Sequence, residues 1–389
     1  MKKGMQRILD SLPNLQTMIR EMRDIILTNI VMIGEIPSPT FREDKLREFL
    51  LYRFNQDNLI NCSTDETGNA LGILPGSGGG RNVLLVSHMD SVFDEEINNT
   101  ISVQPGYISG RGLSDNIIGL AAITSLPFIL DQLKIRLNSN LVFMGTARSL
   151  GQGNLEGIRF FLKNTKINIS NGIIVDGVKL GNLSYSSIGM ARCEINYWVP
   201  EEYDWTRFGA VGSIVTLNEL ISRIQEIPIP NKPHTSIMFS SISGGRGFSS
   251  IPLDATVRFE IRSESGSMVD VLQKQIMDIA AEVASNSGSR VETKILAKRK
   301  PGGISFSHPF AGTARAIHKT LGIESRITPN IAELSAFIDK DIPSLAIGIT
   351  NTEKLSKSLE KVQIEPIYKG LAQLVGLVMA IDEGCCDEN

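Results

Sequence analysis

The segment NVLLVSHMD, Asn82–Asp90, joins an almost wholly apolar run to a polar ending. A short continuous apolar run of this kind is typical of a strand that is buried on both faces, as in the parallel sheets of α/β proteins. Ligands of such sheets bind beyond the carboxyl ends of the strands. We therefore expect His88 and Asp90 to lie at a ligand-binding edge.

Helix and strand patterns alternate after this segment. The predicted elements are a helix over 117–133, a strand over 140–145, a helix over 154–163 and a strand over 172–176 that ends at Asp176. Two helices are predicted before the first strands, with a break at residues 37–39. The alternation predicts an α/β fold, a mostly parallel sheet flanked by helices.

A different pattern interrupts the chain between about residues 189 and 298. Strand, helix, two strands, helix and strand follow one another there, which is the βαββαβ order of a four-stranded sheet covered by two helices. A helix, an apolar strand and a final helix then return to the first pattern. The sequence predicts one α/β domain from residues 1–188 and 299–389, with an inserted domain of residues 189–298.

Composition excludes several classes of protein. The 389 residues carry a net charge of −3 from scattered charges, so there is no electrostatic footprint for nucleic acid or an acidic membrane. The four cysteines are too few and too scattered for a disulfide framework. The first apolar stretch is shorter than the ~18 residues of a membrane span, and no signal-peptide pattern follows Lys2 and Lys3. We expect a cytoplasmic protein that binds neither nucleic acid nor membranes.

One histidine and three aspartates stand at the ends of predicted elements. His88 and Asp90 are two residues apart, so their side chains share one face, and the aspartate can hold one ring nitrogen while the other binds a metal. Asp115 follows the Gly-rich stretch GRGLSDN just before a helix, and Asp176 ends a strand. One histidine and two aspartates form a suitable ligand set for a hard or borderline metal ion.

These motifs resemble those of a known family. SHMDSV, GRGLSDN, GQGNLEG, VDG and the inserted module are similar to the di-zinc metallopeptidases and amidohydrolases that include peptidase T, aminoacylase and succinyl-diaminopimelate desuccinylase. The resemblance covers nearly the whole chain and implies a phosphorylase/hydrolase-like α/β fold with a ferredoxin-like lid or dimerisation domain. It also implies that His88 and Asp176 bind the first zinc, that Asp90 orients His88, and that Asp115 bridges both zincs.

Three positions depart from the family's pattern. Where the family has a Glu-Glu pair, a general base followed by a ligand of the second zinc, this chain has Ser149 and Leu150. Lys357 takes the place of the last zinc-binding histidine. A serine hydroxyl with no adjacent base does not accept a proton near neutral pH, leucine has no ligand atom, and an ammonium group opposes a metal ion. The general base and two ligands of the second zinc are therefore expected to be missing.

The inserted module carries three further candidate residues. Tyr203 stands where the family commonly has a histidine that supports the oxyanion, and its phenol can still donate a hydrogen bond. Ser249 stands where the resemblance implies an amide side chain. Arg262 matches an arginine that is common in the family, and both a substrate contact and a structural ion pair remain open for it.

Two main functional interpretations follow from this pattern. In the first, the chain is a family member that keeps the fold, binds small peptides or N-acyl amino acids, and is weak or inactive as a hydrolase. In the alternative, one zinc ion on His88, Asp115 and Asp176 supports hydrolysis of such substrates with an unidentified base. A scaffold without a ligand is a third interpretation, which the four retained first-site residues disfavour.

The expected cofactor is one zinc per chain, with manganese or cobalt left open. The resemblance also implies a homodimer formed through the inserted domain.

Overall fold

A computed structural model describes residues 2–78, 80–94, 99–200, 212–248, 250–356 and 359–388. For residues 2, 115, 116 and 178 it describes the backbone alone. Three of the candidate residues, Tyr203, Ser249 and Lys357, lie outside the described residues, as does the side chain of Asp115.

The described residues form ten α-helices. These are α1 (Lys2–Glu21), α2 (Arg23–Gly34), α3 (Asp44–Gln56), α4 (Ile118–Gln132), α5 (Glu156–Asn164), α6 (Ser213–Gln225), α7 (Gly266–Ser287), α8 (Pro309–Thr320), α9 (Leu334–Ile338) and α10 (Glu365–Asp382). No helix in these ranges is long and apolar enough to cross a membrane.

Eighteen strands complete the secondary structure of the described residues. They are β1 (Ile60–Thr64), β2 (Ala70–Leu74), β3 (Asn82–His88), β4 (Ser102–Gln104), β5 (Tyr107–Arg111), β6 (Asn140–Thr146), β7 (Ile169–Val178), β8 (Asn182–Ser184), β9 (Ser186–Ser187), β10 (Gly189–Trp198), β11 (Thr235–Gly244), β12 (Asp254–Ser263), β13 (Arg290–Arg299), β14 (Gly302–Gly303), β15 (Arg326–Ile327), β16 (Ser344–Thr350), β17 (Thr352–Lys354) and β18 (Leu359–Gln363).

The chain divides into two compact units, the first made of residues 1–187 and 303–389 and the second of residues 188–302. The first unit contains an eight-stranded sheet in the order β1-β2-β6-β3-β7-β16-β8-β15. Its central strands β6, β3, β7 and β16 are parallel, and antiparallel pairs flank them. The predicted fold class, a mostly parallel sheet flanked by helices, is confirmed.

Both faces of the central strands are buried. Leu85 and Ile173 belong to the larger apolar cluster, which also contains residues of α4 and α10. Leu84, Val86 and Ile174 belong to a second cluster with residues of α5 and α9. Each fully buried aliphatic side chain of this kind contributes about 1.5–3 kcal/mol. Successive side chains of β3 enter the two clusters in turn. The run that follows Asn82 is therefore apolar at consecutive positions and not only at every second one.

The second unit has the strand and helix order β10-α6-β11-β12-α7-β13. Its four strands form an antiparallel sheet in the order β11-β12-β10-β13. Inward residues of β10 and β12, such as Ile195 and Val257, are buried in one cluster with Leu220 of α6 and Leu272 of α7. The helices therefore cover one face of this sheet.

The N-terminal region contains three helices before the first strand, where the sequence predicts two. The additional break falls at Met22, whose backbone (φ −88°, ψ 16°) leaves the helical region between α1 and α2. Helix α1 packs on α8 and α10, whereas α2 packs on α4. No glycine or proline stands at the break, so the local sequence gives no signal for it. The position of the break is instead determined by the different packing of α1 and α2.

Candidate metal centre

His88 and Asp176 lie on neighbouring strands at the same level of the sheet. The register of the parallel pair β3–β7 joins Val86 to Ile174. His88 and Asp176 come two residues later on each strand, so they stand at the carboxyl edge and on the face that Val86 and Ile174 share. That face is the one covered by α5 and α9.

Asp90 is buried beside His88 and holds its ring. Nδ1 of His88 lies 3.0 Å from the carbonyl oxygen and 3.3 Å from Oδ1 of Asp90. Oδ2 of Asp90 accepts hydrogen bonds from Leu150 N at 2.7 Å and from Thr40 Oγ1 at 2.9 Å. These contacts fix the imidazole so that Nε2 is the ring nitrogen suited to a metal ion.

The carboxyl group of Asp90 is held in its ionised form. Burial is the largest single influence and raises its pKa, but the hydrogen bond and charge of His88 lower it, as do the bonds from Leu150 and Thr40. The combined effect places the pKa of Asp90 below its usual range. Asp90 therefore acts as an acceptor that stabilises a chosen orientation of His88.

Asp115 lies in a short π-helical segment, Leu113–Ile117, that leads into α4. Gly112 precedes the segment with φ 64°, a left-handed conformation that glycine adopts at little cost. Ser114 N donates a hydrogen bond to Glu360 Oε2 at 2.8 Å, which ties the segment to β18. The backbone just before Asp115 is thus held in place.

Close packing of α4 on β7 brings this segment to the carboxyl edge of the sheet. A Cβ atom at Gly119, in the first turn of α4, would lie 2.2 Å from the carbonyl oxygen of Val175. Glycine is therefore required there, and the π-helical segment contacts β7. The backbone of Asp115 consequently lies beside the strand that carries Asp176.

Ser149 and Leu150 follow the end of β6, and neither side chain supplies a carboxylate. Ser149 is buried, and its hydroxyl shares a hydrogen bond of 3.1 Å with Thr146 Oγ1. Leu150 contributes its backbone N–H to Asp90. The side chains at these two positions cannot act as a general base or as a metal ligand.

Arg262 belongs to the second unit and is engaged in an ion pair. Its Nε donates to Glu260 Oε2 at 2.8 Å, and Arg192 Nε donates to Glu260 Oε1 at 2.6 Å. Burial raises the pKa of Glu260, but the hydrogen bonds and charges of the two arginines bring it below its usual range. The structural ion pair left open by the sequence is thus present.

Two residues near Asp90 carry no functional signal in the sequence. Thr40, in the IPSPT segment, donates to Asp90. Glu43 is buried, and its Oε1 accepts a hydrogen bond of 2.8 Å from Arg148 N. Burial raises the pKa of Glu43 despite backbone hydrogen bonds that lower it, and the charge of Asp90 raises it further. The sequence shows Glu43 only as an acid near a helix start.

Two more residues that carry no functional signal in the sequence lie in the segment before α9. Nδ2 of Asn330 donates to Oδ2 of Asp176 at 3.3 Å. Glu333 is only 2% exposed. An acid flanked by Ala332 and Leu334 is a weak signal in the sequence, and nothing in the local pattern connects it with β7.

The donor set suits a metal ion. Among described side chains, which exclude that of Asp115, no group of three or more His, Cys, Asp or Glu could hold a metal ion. His88 and Asp176 stand on adjacent strands, and the Asp115 backbone lies beside them. An imidazole nitrogen with two carboxylates is a ligand set that zinc accepts.

A cavity of the first unit lies away from this edge. It has a volume of about 630 Å³ and is lined by residues that include Leu74, Ser139 and Leu141. Leu141 stands at the amino end of β6, which is the opposite edge of the sheet from His88. Cavity size alone therefore does not identify the candidate metal centre.

Comparison with known proteins gives one family and many similar folds. A search among curated proteins found no match. The fold is similar to a tripeptidase from Staphylococcus aureus subsp. aureus Mu50 (18% identity, TM-score 0.76, 93% of this chain and 99% of that one). It is also similar to a di-peptidase from Saccharomyces cerevisiae (14%, TM-score 0.76, 96% and 99%). A dinuclear metal binding peptidase of the M20 family from Bacillus subtilis has 13% identity and a TM-score of 0.67, over 94% of this chain and 99% of that one.

At these identities the solved structures establish the fold. The sequence profile described as peptidase family M20/M25/M40 matches residues 84–380, which include His88, Asp90, Asp115 and Asp176. The resemblance to metallopeptidases and amidohydrolases is thereby confirmed. The chain belongs to peptidase family M20/M25/M40.

Proposed function

We propose that this chain binds one zinc ion through His88, Asp115 and Asp176, and that its hydrolysis of small peptides or N-acyl amino acids is weak or absent. The observation that carries the proposal is the buried, hydrogen-bonded position of the Ser149 hydroxyl group. Its hydroxyl is buried against Thr146 at the position where the resemblance implies a general base. Manganese or cobalt could replace zinc in such a ligand set.

Retention of the first site supports ion binding. Asp90 holds the ring of His88, and Asn330 donates to Asp176, so each of these two ligands is oriented by a neighbour. Zinc in this position would supply Lewis acidity and lower the pKa of a water molecule to about 7. The chain's own residues would orient the ligands and exclude bulk water.

The acids nearest to the end of β6 do not replace the missing base. Glu43 is bonded to the backbone of Arg148. Glu156 pairs with the Arg148 side chain at 3.0 Å. A general base must reach the proton that it removes, and both carboxylates are engaged in contacts that hold the loop after β6.

Small peptides and N-acyl amino acids are the proposed ligand class. Two of the similar folds are described as a tripeptidase and a di-peptidase. This support is by analogy of fold, because function resides in particular side chains.

A substrate panel tests the proposal. Zinc-loaded protein is assayed with di- and tripeptides and N-acyl amino acids, beside Asp115→Ala and a control, Asp24→Ala, whose side chain is 98% exposed. We expect little or no turnover, binding of some ligands by calorimetry, and loss of zinc only in Asp115→Ala. Robust turnover that Asp115→Ala abolishes and Asp24→Ala retains would establish the alternative, an active mono-zinc hydrolase.

We also propose a homodimer formed through the second unit. Strand β11 is an edge strand of its sheet, and Met238 and Ile242 on it are 46% and 59% exposed. An exposed apolar edge strand favours pairing with another chain. The resemblance implies the same association.

A further inference from the structure

Glu333 is a buried carboxylate, and one of its oxygens has no hydrogen-bond partner in the part of the chain that the structure describes. The residue is 2% exposed, and its Oε1 makes no hydrogen bond to any described residue. Burying a polar atom without a hydrogen-bond partner destabilises the folded state, and burying an unpaired charged group destabilises it more. Such a group in a native structure calls for a specific explanation, of which an ion is one.

The segment that carries Glu333 is bonded to a predicted metal ligand. Asn330 Nδ2 donates to Asp176 Oδ2 at 3.3 Å. Asn330 is itself held by a bond from its N–H to Ser186 O at 2.9 Å and by one from Ala332 N to its Oδ1 at 2.6 Å. The start of the segment is therefore fixed at the carboxyl edge of the large sheet.

Helix α9, which Glu333 immediately precedes, lies on the face of the sheet toward which His88 and Asp176 point. Leu334, the next residue, is in the same apolar cluster as Val86 and Ile174. Five residues beyond the end of α9, Pro343 O accepts a hydrogen bond from Gly172 N, near the amino end of β7. The segment from Asn330 to Pro343 thus runs back along the sheet, and Glu333 lies in the part of it that is nearer the carboxyl edge.

We propose that the segment Asn330–Glu333 is part of the metal centre, in which Asn330 orients Asp176 and Glu333 supplies the negative charge that Ser149 and Leu150 do not. This inference rests on the proposed function, because it requires a cation at His88, Asp115 and Asp176. His88, Asp176 and Glu333 do not by themselves form a three-ligand group in the described structure. Glu333 therefore acts on the cation from beside its ligands, as a positioning and charge-balancing residue.

Zinc affinity of the Glu333→Gln variant tests this role. Carboxylates that support a metal site typically contribute 10–100-fold to metal affinity. We expect the dissociation constant for zinc, measured by competition with a chromophoric chelator, to rise at least tenfold. Asp57→Asn is the matched control, since an Asp57 carboxylate oxygen is also buried without a hydrogen-bond partner among the described residues, but Asp57 lines the cavity at the opposite edge of the sheet. Its zinc affinity is expected to stay within about twofold of the wild type.

Urea unfolding of the metal-free proteins separates this role from a merely structural one. If Glu333 only supports the fold, Glu333→Gln lowers the unfolding midpoint and leaves the zinc dissociation constant unchanged, which overturns the inference. Equal weakening of zinc binding by Glu333→Gln and Asp57→Asn also overturns it, because the effect is then not specific to Glu333.

Asp176→Asn distinguishes failure of this inference from failure of the proposed function. If wild type binds zinc, Asp176→Asn does not, and Glu333→Gln binds as wild type does, the metal centre stands and only the role of Glu333 is wrong. If wild type does not bind zinc, the proposed function and the inference are both wrong.

Discussion

At the residue scale, hydrogen bonds around the end of β6 determine what the centre can do. Ser149 and Thr146 satisfy each other's hydroxyl groups in a buried position. The backbone N–H of Leu150 donates a hydrogen bond to Asp90. This loop therefore supports the proposed first site but contributes no carboxylate of its own. The loop therefore has a positioning role.

Replacement of Ser149 tests that role. Ser149→Ala removes one buried hydrogen bond, so we expect a loss of about 1 kcal/mol in the free energy of unfolding. Zinc affinity and any residual hydrolysis are expected to remain at the wild-type level. A large loss of hydrolysis in a folded, zinc-loaded Ser149→Ala protein would show that the hydroxyl takes part in chemistry, contrary to our account.

The residues of the centre differ in how far the sequence reveals them. His88 and Asp176 follow apolar runs, and the parallel register then brings them together as the pattern predicts. Glu333 has no such signal, because its burial and its unpaired oxygen arise only when α9 packs on the sheet. The bond from Asn330 to Asp176 joins residues 154 positions apart and is likewise a tertiary property.

At the scale of elements, the position of α4 depends on one glycine. Gly119 allows the first turn of the helix to touch the backbone of β7 at Val175. That contact places the segment Leu113–Ile117, and with it Asp115, at the carboxyl edge. Loss of the contact would displace both the helix and the site.

Alanine at Gly119 is expected to destabilise the protein despite its higher helix propensity. The added Cβ would meet a backbone oxygen that cannot rotate away, so we expect a loss of about 2 kcal/mol or more in urea unfolding. Gly312→Ala, in α8, is the matched control, because its Cβ would meet only the end of the Arg315 side chain at 3.8 Å. That variant is expected to gain about 0.5–1 kcal/mol. Equal effects of the two changes would contradict the close packing.

Long elements with a clear hydrophobic period are predicted well, and short ones are not. The predicted helix over 117–133 corresponds to α4, and the predicted strand over 140–145 to β6. Strands of two or three residues such as β15 and β17 carry too few residues for any periodicity. The break at Met22 is also invisible, because the apolar spacing continues through it.

At the scale of the whole molecule, the inserted unit is visible in the sequence as a change of pattern. The βαββαβ order over residues 188–302 interrupts a larger α/β unit that is formed from both ends of the chain. Edge strand β11 leaves apolar side chains exposed, which is the basis for the proposed dimer.

Sedimentation velocity tests the proposed dimer of 42.6 kDa chains. A charge on β11 would oppose strand pairing, so we expect Ile242→Glu to shift the protein to monomers. Ile327→Glu, at an exposed site on β15 in the other unit, is expected to leave the dimer intact. A wild-type monomer at micromolar concentration would contradict the proposal.

Zinc stoichiometry tests whether the chain holds a single metal ion. Protein loaded with zinc and then dialysed is analysed for metal per chain, with Asp176→Asn as the comparison. We expect one ion in the wild type and a loss in the variant, because the proposed site consists of His88, Asp115 and Asp176, and the resemblance implies that Leu150 and Lys357 take the places of second-site ligands. Two ions per chain would contradict the account by showing that the second site is intact, and no bound ion would contradict it by showing that the first site is not functional.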